Sequence, residues 1–219
     1  MSEQRRGQLR VNEIFYSIQG ESRQAGLPCV FVRLTYCNLR CRWCDSPYSF
    51  YEGQWMTVEK IMDEIAAHNC KLVEITGGEP LLQKEVLPFM TRLCDAGYDV
   101  LIETGGHMDI APIDGRVRRI VDIKCPGSGE ADKVRWQNIE QLGPDDELKF
   151  VIADEADYRW AVDMLNKYGL DKKCAVLFSP VFGEMDNLTL VQWILRDRLP
   201  VRFQLQMHKY IWAPETRGV

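Results

Sequence analysis

Short apolar runs recur along the chain at intervals that leave room for a helix between them. Residues 30–34, 71–75, 100–102, 120–123, 148–152, 175–178 and 201–205 read as strands, preceded by an extended segment at 9–15. Between them, Thr57 can cap a helix over 57–70 with Ile61, Met62, Ile65 and Ala66 as its apolar stripe. Residues 85–96, 155–168 and 188–195 repeat the helical spacing, with Gly97 and Gly169 as stops, and 132–142 is expected to be helical as well. Strands linked through helices pair in parallel. The pattern therefore predicts an α/β fold, a partial (β/α) barrel of about six mostly parallel strands, too few for eight-stranded closure. No repeat or Pro/Gly/Ser linker divides residues 1–219, which are read as a single domain.

The polar residues gather where these strands end. The run at 71–75 leads into Thr76-Gly77-Gly78-Glu79-Pro80, and the next closes with Glu103-Thr104-Gly105-Gly106. Further on come Asp122-Ile123-Lys124, then Ser179-Pro180-Val181-Phe182, then Gln206-Met207-His208-Lys209-Tyr210. In a parallel sheet these ends share one rim, where α/β folds bind ligands. A glycine pair there would let main-chain groups approach a ligand closely. Arg33 is the odd residue in its strand: either its stem packs and its head reaches water, or its planar fork points into a cavity and meets a carboxylate.

Composition narrows the chemistry. Among 219 residues, 46% are hydrophobic, and 27 basic against 32 acidic side chains leave a net charge of −5. That excludes a broad electrostatic footprint for nucleic acid and favours a small-molecule substrate. No apolar run reaches membrane-spanning length, and Arg5-Arg6 is followed by no apolar signal core, so no membrane partner and a cytoplasmic location are expected. Of eight cysteines, Cys37, Cys41 and Cys44 cluster in a C-x3-C-x2-C spacing right after residues 30–34, whereas Cys29, Cys70, Cys94 and Cys174 read as small buried hydrophobes and Cys125 as a bystander. A structural zinc site closes with four ligands, but three thiolates can hold three irons of a cubane and leave the fourth open to a small molecule.

A strand followed by C-x3-C-x2-C, then a strand followed by Gly-Gly-Glu-Pro, resembles the radical S-adenosylmethionine superfamily. That resemblance implies a 4Fe-4S cluster on Cys37, Cys41 and Cys44, with S-adenosylmethionine on its open iron yielding a 5′-deoxyadenosyl radical, and a cluster loop at 35–46. Within the superfamily, the opening 12–21, the Arg33 strand, Trp43-Cys44-Asp45-Ser46 and the closing 206–210 resemble the 7-carboxy-7-deazaguanine synthase family over nearly the whole chain. The resemblance implies conversion of 6-carboxy-5,6,7,8-tetrahydropterin to 7-carboxy-7-deazaguanine with loss of ammonia, by a magnesium-dependent homodimer supplied with electrons by flavodoxin or ferredoxin. It assigns Ile18, Gln19, Gly20, Thr76 and His208 to the pterin and Arg33 to its carboxylate. It assigns Trp43, Cys44, Asp45, Gly78, Asp122, Ile123, Lys124, Ser179, Pro180, Val181 and Phe182 to S-adenosylmethionine, and the Ser46 hydroxyl to Mg2+. Asp122-Ile123 departs from the Ser-Pro of many relatives, and residues 215–219 run past their frequent end near Pro214.

Two other readings compete. An activating enzyme that abstracts hydrogen from a glycine of a partner protein shares the thiol spacing and an Asp-x-Lys segment, but has no evident need of Ile18-Gln19-Gly20 with Arg33. A non-catalytic zinc-binding module explains the thiols, but not Thr76-Gly77-Gly78-Glu79-Pro80 or the repeated strand and helix.

Overall fold

A computed structural model describes residues 5–219. Its single sheet has nine strands: β1 (Gln8–Ile18), β2 (Pro28–Leu34), β3 (Gln54–Thr57), β4 (Leu72–Gly77), β5 (Asp99–Thr104), β6 (Arg118–Ile123), β7 (Glu147–Ile152), β8 (Ala175–Pro180) and β9 (Arg202–Phe203). The order is β3-β1-β2-β4-β5-β6-β7-β8-β9. From β2 to β9 every pair is parallel, while β1 pairs antiparallel with β2 and β3 with β1. This is an open α/β sheet of the partial-barrel type, as expected, with more strands than the apolar runs revealed. β3 escaped notice because Gln54-Trp55-Met56-Thr57 buries only Met56 and lies at an edge.

The parallel strands alternate their side chains between two unlike faces. Val30, Val32, Val73, Ile75, Val100 and Ile102 face one large core, closed by α1 (Val58–Ala67), α2 (Val86–Asp95), α3 (Glu155–Tyr168) and α4 (Asn187–Arg196). Each large side chain buried there stabilises the fold by about 1.5–3 kcal/mol. The opposite face carries a smaller cluster, Cys29, Phe31, Leu72, Leu101 and Ile120, which fills the inner side of the sheet below the polar residues described next.

The helices start and stop on local chemistry. Thr57 Oγ1 accepts from the Lys60 amide at 3.3 Å to cap α1, Asp154 accepts from Asp157 to cap α3, and Gly169 ends α3 at φ 57. The helix expected over 132–142 does not form; 3-10 turns occupy Ala131–Lys133 and Trp136–Gln141 instead. Buried Asn138 explains the difference, since its amide donates to the Gly106 and Met108 carbonyls and ties this segment to the loop after β5. No helix among the described residues is long and apolar enough to cross a membrane.

Candidate active site

The ends of the parallel strands open onto one cavity of about 440 Å³. Its wall includes the three clustered cysteines, Arg33, Thr76, Gly78, Glu103, Asp122, Lys124 and His208, contributed by segments spread over most of the chain.

The thiol loop is held by its neighbours' main chain. Tyr36 sits at φ 83, a region costly for a non-glycine residue, and is fixed there because its N–H donates to Ser49 O at 2.9 Å and its carbonyl accepts from Glu79 N at 2.7 Å. The glycine pair serves this docking. A Cβ on Gly77 would lie 2.2 Å from Leu34 O, and one on Gly78 would lie 2.3 Å from Tyr36 O and 2.7 Å from Cys37 Cβ. Gly78 N–H donates to Leu34 O at 3.2 Å, so the pair's small size seats the end of β4 against the root of the loop. Fully buried Glu79 completes the joint: its carboxylate accepts from Leu81 N, Thr104 Oγ1 and Gly105 N, and burial pushes it up despite those bonds. His107 Nε2 lies 2.6 Å from Asn38 Oδ1, fastening the loop from the β5 side.

Cys37, Cys41 and Cys44 are partly buried free thiols on this cavity. Burial pushes the Cys37 thiol up and the Cys41 thiol to about 11, so deprotonation calls for a compensating cation. Among the described residues, the His, Cys, Asp and Glu donor atoms that all converge within 4.8 Å are those of Glu21, Asp45 and His208. Three thiols on one cavity are a donor set that suits three irons of a cluster with one site left open better than a closed four-ligand zinc site.

The deeper wall is charged. Lys149, with 4% side-chain exposure, pairs with Glu21 at 3.0 Å, with Asp122 at 3.5 Å and with Glu103. Burial by itself would push the ammonium down, but these carboxylates hold it well above the usual lysine range. Desolvation works against Asp122 too, yet Lys124 and Lys149 keep it below the usual carboxylate range. Lys124 Nζ donates to Asp122 Oδ2 at 2.9 Å. Asp122 is in register with Lys149, so this chain builds an ion network between β6 and β7. On the other side, Arg33 lies in register with Thr76 and pairs with Glu13 at 2.8 Å.

Of the residues singled out from sequence, Ile18, Gln19, Gly20, Arg33, Thr76 and His208 line the cavity, as do Trp43, Asp45, Ser46, Gly78, Asp122, Lys124, Val181 and Phe182 with the three cysteines. Ile123, Ser179 and Pro180 do not: Ile123 points into the helix-side core, and Ser179 and Pro180 are buried inside β8, which runs two residues longer than expected. Gln19 lies on the wall with both ends of its amide in use, Oε1 accepting from Glu21 N and Ser22 N and Nε2 donating to Glu74. The sequence reading missed Glu74 and Lys149, as well as the return of the tail. Pro214, Thr216, Gly218 and Val219 all reach the cavity, and Arg217 stacks 3.7 Å from the Tyr48 ring while pairing with Glu52 at 2.9 Å.

Residues 32–188 match the family model described as Radical SAM superfamily. With the thiol loop docked on Thr76-Gly77-Gly78-Glu79 at the strand ends, fold and site define a radical S-adenosylmethionine enzyme, whose cofactors are a 4Fe-4S cluster and S-adenosylmethionine. A 7-carboxy-7-deazaguanine synthase of Koribacter versatilis is 48% identical over 96% of this chain and 100% of its own length, and that of Chlorobaculum tepidum is 47% identical over 96% and 97%. The chain belongs to the 7-carboxy-7-deazaguanine synthase family. A crystal structure of QueE from Escherichia coli shares the fold, with a TM-score of 0.75 at 23% identity, covering 92% of this chain and 95% of that one.

Proposed function

We propose that this protein is a carbon-nitrogen lyase that converts 6-carboxy-5,6,7,8-tetrahydropterin to 7-carboxy-7-deazaguanine with loss of ammonia, in queuosine and deazapurine biosynthesis. The observation that carries the reading is the position of Arg33, on the wall of the same cavity as the three thiols, with Nε committed to Glu13 and no hydrogen bond made by its Nη atoms among the described residues. A planar fork with both Nη groups unspent suits a carboxylated heterocycle. A glycyl segment of a partner protein would offer it no carboxylate, and the family's relatives also speak against the activating-enzyme reading.

When bound, the cluster and S-adenosylmethionine supply a carbon-centred radical able to remove a hydrogen atom from the substrate. The chain's residues hold and shield the reactants. Cys37, Cys41 and Cys44 would hold the cluster, and Trp43, Asp45, Gly78, Val181 and Phe182 would flank S-adenosylmethionine with Asp122 and Lys124. Arg33 would bind the substrate carboxylate, with Thr76 beside it and His208 on the wall of the same cavity. The Phe15 and Phe31 rings, stacked at 4.9 Å, give the wall a flat apolar section that keeps water from a bound ring.

Ser46 would supply one oxygen to Mg2+. It precedes the 3-10 turn Pro47–Phe50 without a side-chain capping bond, so its hydroxyl is left for another partner. The hard ion would complete its shell with substrate oxygens and water. The reading also includes a single domain over the whole chain, a homodimer, flavodoxin or ferredoxin as electron donor, and work in the cytoplasm.

Anaerobic reconstitution with iron and sulfide, reduction, and addition of S-adenosylmethionine, Mg2+ and 6-carboxytetrahydropterin test it. Formation of the deazaguanine is expected; protein that cleaves S-adenosylmethionine without forming it would reject the reading.

A further inference from the structure

One buried carboxyl on the cavity wall has no role in the scheme above. Glu74 lies on β4 between Val73 and Ile75, which face the helix-side core, so its side chain turns to the inner face, where it is 2% exposed and lines the cavity. Lys149 pairs with Glu21, Glu103 and Asp122 instead, and the hydrogen bond Glu74 receives comes from Gln19 Nε2 at 3.0 Å. Gln19 cannot turn its carbonyl oxygen towards Glu74, because the Glu21 and Ser22 amides each donate to that oxygen at 2.9 Å. Glu74 is thus held by a single neutral donor, with acceptor capacity to spare.

A structural role does not call for an acid here, since a glutamine would serve Gln19 equally well. Burial, then Glu103, push the Glu74 carboxyl up to about 8, so the fold keeps an acid where ionisation is costly. Such a group is explained by a ligand with donors of its own. The register adds the distance. Arg33 is the partner of Thr76, two residues beyond Glu74 on β4, about 7 Å along the strand. With the reach of both side chains, that offset suits the long axis of a bicyclic pterin whose carboxylate lies on Arg33. The far edge of that ring, a 2-amino-4-oxopyrimidine, presents a ring N–H beside an amino group, a donor pair that matches two carboxylate oxygens.

We infer that Glu74 is a specificity-determining residue: ionised on binding, its proton passing to solvent, its carboxylate accepts from the ring N–H and the exocyclic amino group of the substrate's 2-amino-4-oxopyrimidine edge while Arg33 holds the substrate carboxylate. The inference rests on the pterin reading of the site and deepens it.

The test uses reconstituted holoenzyme and two ligands, 6-carboxytetrahydropterin as substrate and its 2,4-dioxo analogue as competitor. Wild-type protein is expected to prefer the 2-amino compound by about 100-fold, because a site built for a donor pair leaves its acceptors unpaired with the analogue. Glu74→Gln, whose amide offers one donor and one acceptor, should raise KM by about tenfold or more, with kcat within about threefold, and narrow that preference. Its cluster spectrum and S-adenosylmethionine affinity should match wild type. Equal affinity of wild-type protein for the two ligands would overturn the inference, and decides the matter even if the variant does not fold. An unchanged KM and preference in folded Glu74→Gln would overturn it too. Wild-type protein that makes no deazaguanine overturns the pterin reading as well, and that failure is visible before any variant is compared.

Discussion

Arg33 Nε donates to Glu13 Oε1 at 2.8 Å between register partners of the β1–β2 hairpin, just past the irregularity between Val11 and Glu13. The pair orients a guanidinium whose carbon lies 5.8 Å from the Phe15 ring centroid and 6.0 Å from that of Tyr48, and it leaves both Nη groups to the cavity. A mid-strand arginine is thereby made into a preset fork.

Arg33→Lys keeps the charge and loses the fork. KM for the pterin should rise roughly 10- to 100-fold, with cluster absorption and S-adenosylmethionine binding intact. Steady-state kinetics on reconstituted protein measures this, and an unchanged KM would remove the clamp from the scheme.

Lys149 is the counter-ion of three carboxylates from three separate segments. Lys149→Met should destabilise the protein by about 3–5 kcal/mol, because it leaves buried charge uncompensated. Thermal or urea unfolding checks this; a variant as stable as wild type would show that the network holds nothing together.

Gly78→Ala places a methyl 2.3 Å from Tyr36 O, a main-chain atom that cannot swing aside. The thiol loop should shift, and the reconstituted variant should bind less than one full cluster per chain by iron and sulfide analysis. Full incorporation would mean that the joint between β4 and the loop tolerates what its packing forbids.

The same rule that picked out Arg33 would have found two of the residues missed. Glu74 and Lys149 are also lone charges inside apolar strand runs, and each points inward with Arg33 and Asp122. The strand ends were legible because turn residues and thiols mark them in the sequence. The glycine pair was legible as a constraint, but its cause was not: the close neighbour is Leu34 and Tyr36 main chain, a contact between segments that no local pattern displays. Likewise the helical spacing of 132–142 yields to one buried side chain, Asn138, and the path of residues 214–219 depends on Arg217 meeting Tyr48 and Glu52 far up the chain.

Glu74 also predicts a pH signature in stability. Its carboxyl, ordinarily near 4.5, is pushed to about 8 by burial first and then by Glu103, with Glu21 adding to the rise and Gln19 and Lys149 opposing it. Between those values the unfolded chain has lost a proton that the folded one keeps, so this contribution is full below the lower value and fades as pH rises through the upper one. Relative to Glu74→Gln, wild-type Tm should therefore fall from about pH 5 to about pH 8. Parallel Tm curves for the two proteins would contradict it.

Following the deazaguanine and S-adenosylmethionine together, by mass spectrometry, in one anaerobic reaction of the reduced, reconstituted protein with 6-carboxytetrahydropterin and Mg2+ tests the proposed conversion most directly. The conversion needs no net redox change, so 7-carboxy-7-deazaguanine should accumulate in excess over the S-adenosylmethionine consumed. Steady conversion of S-adenosylmethionine to 5′-deoxyadenosine with no deazaguanine formed would contradict it.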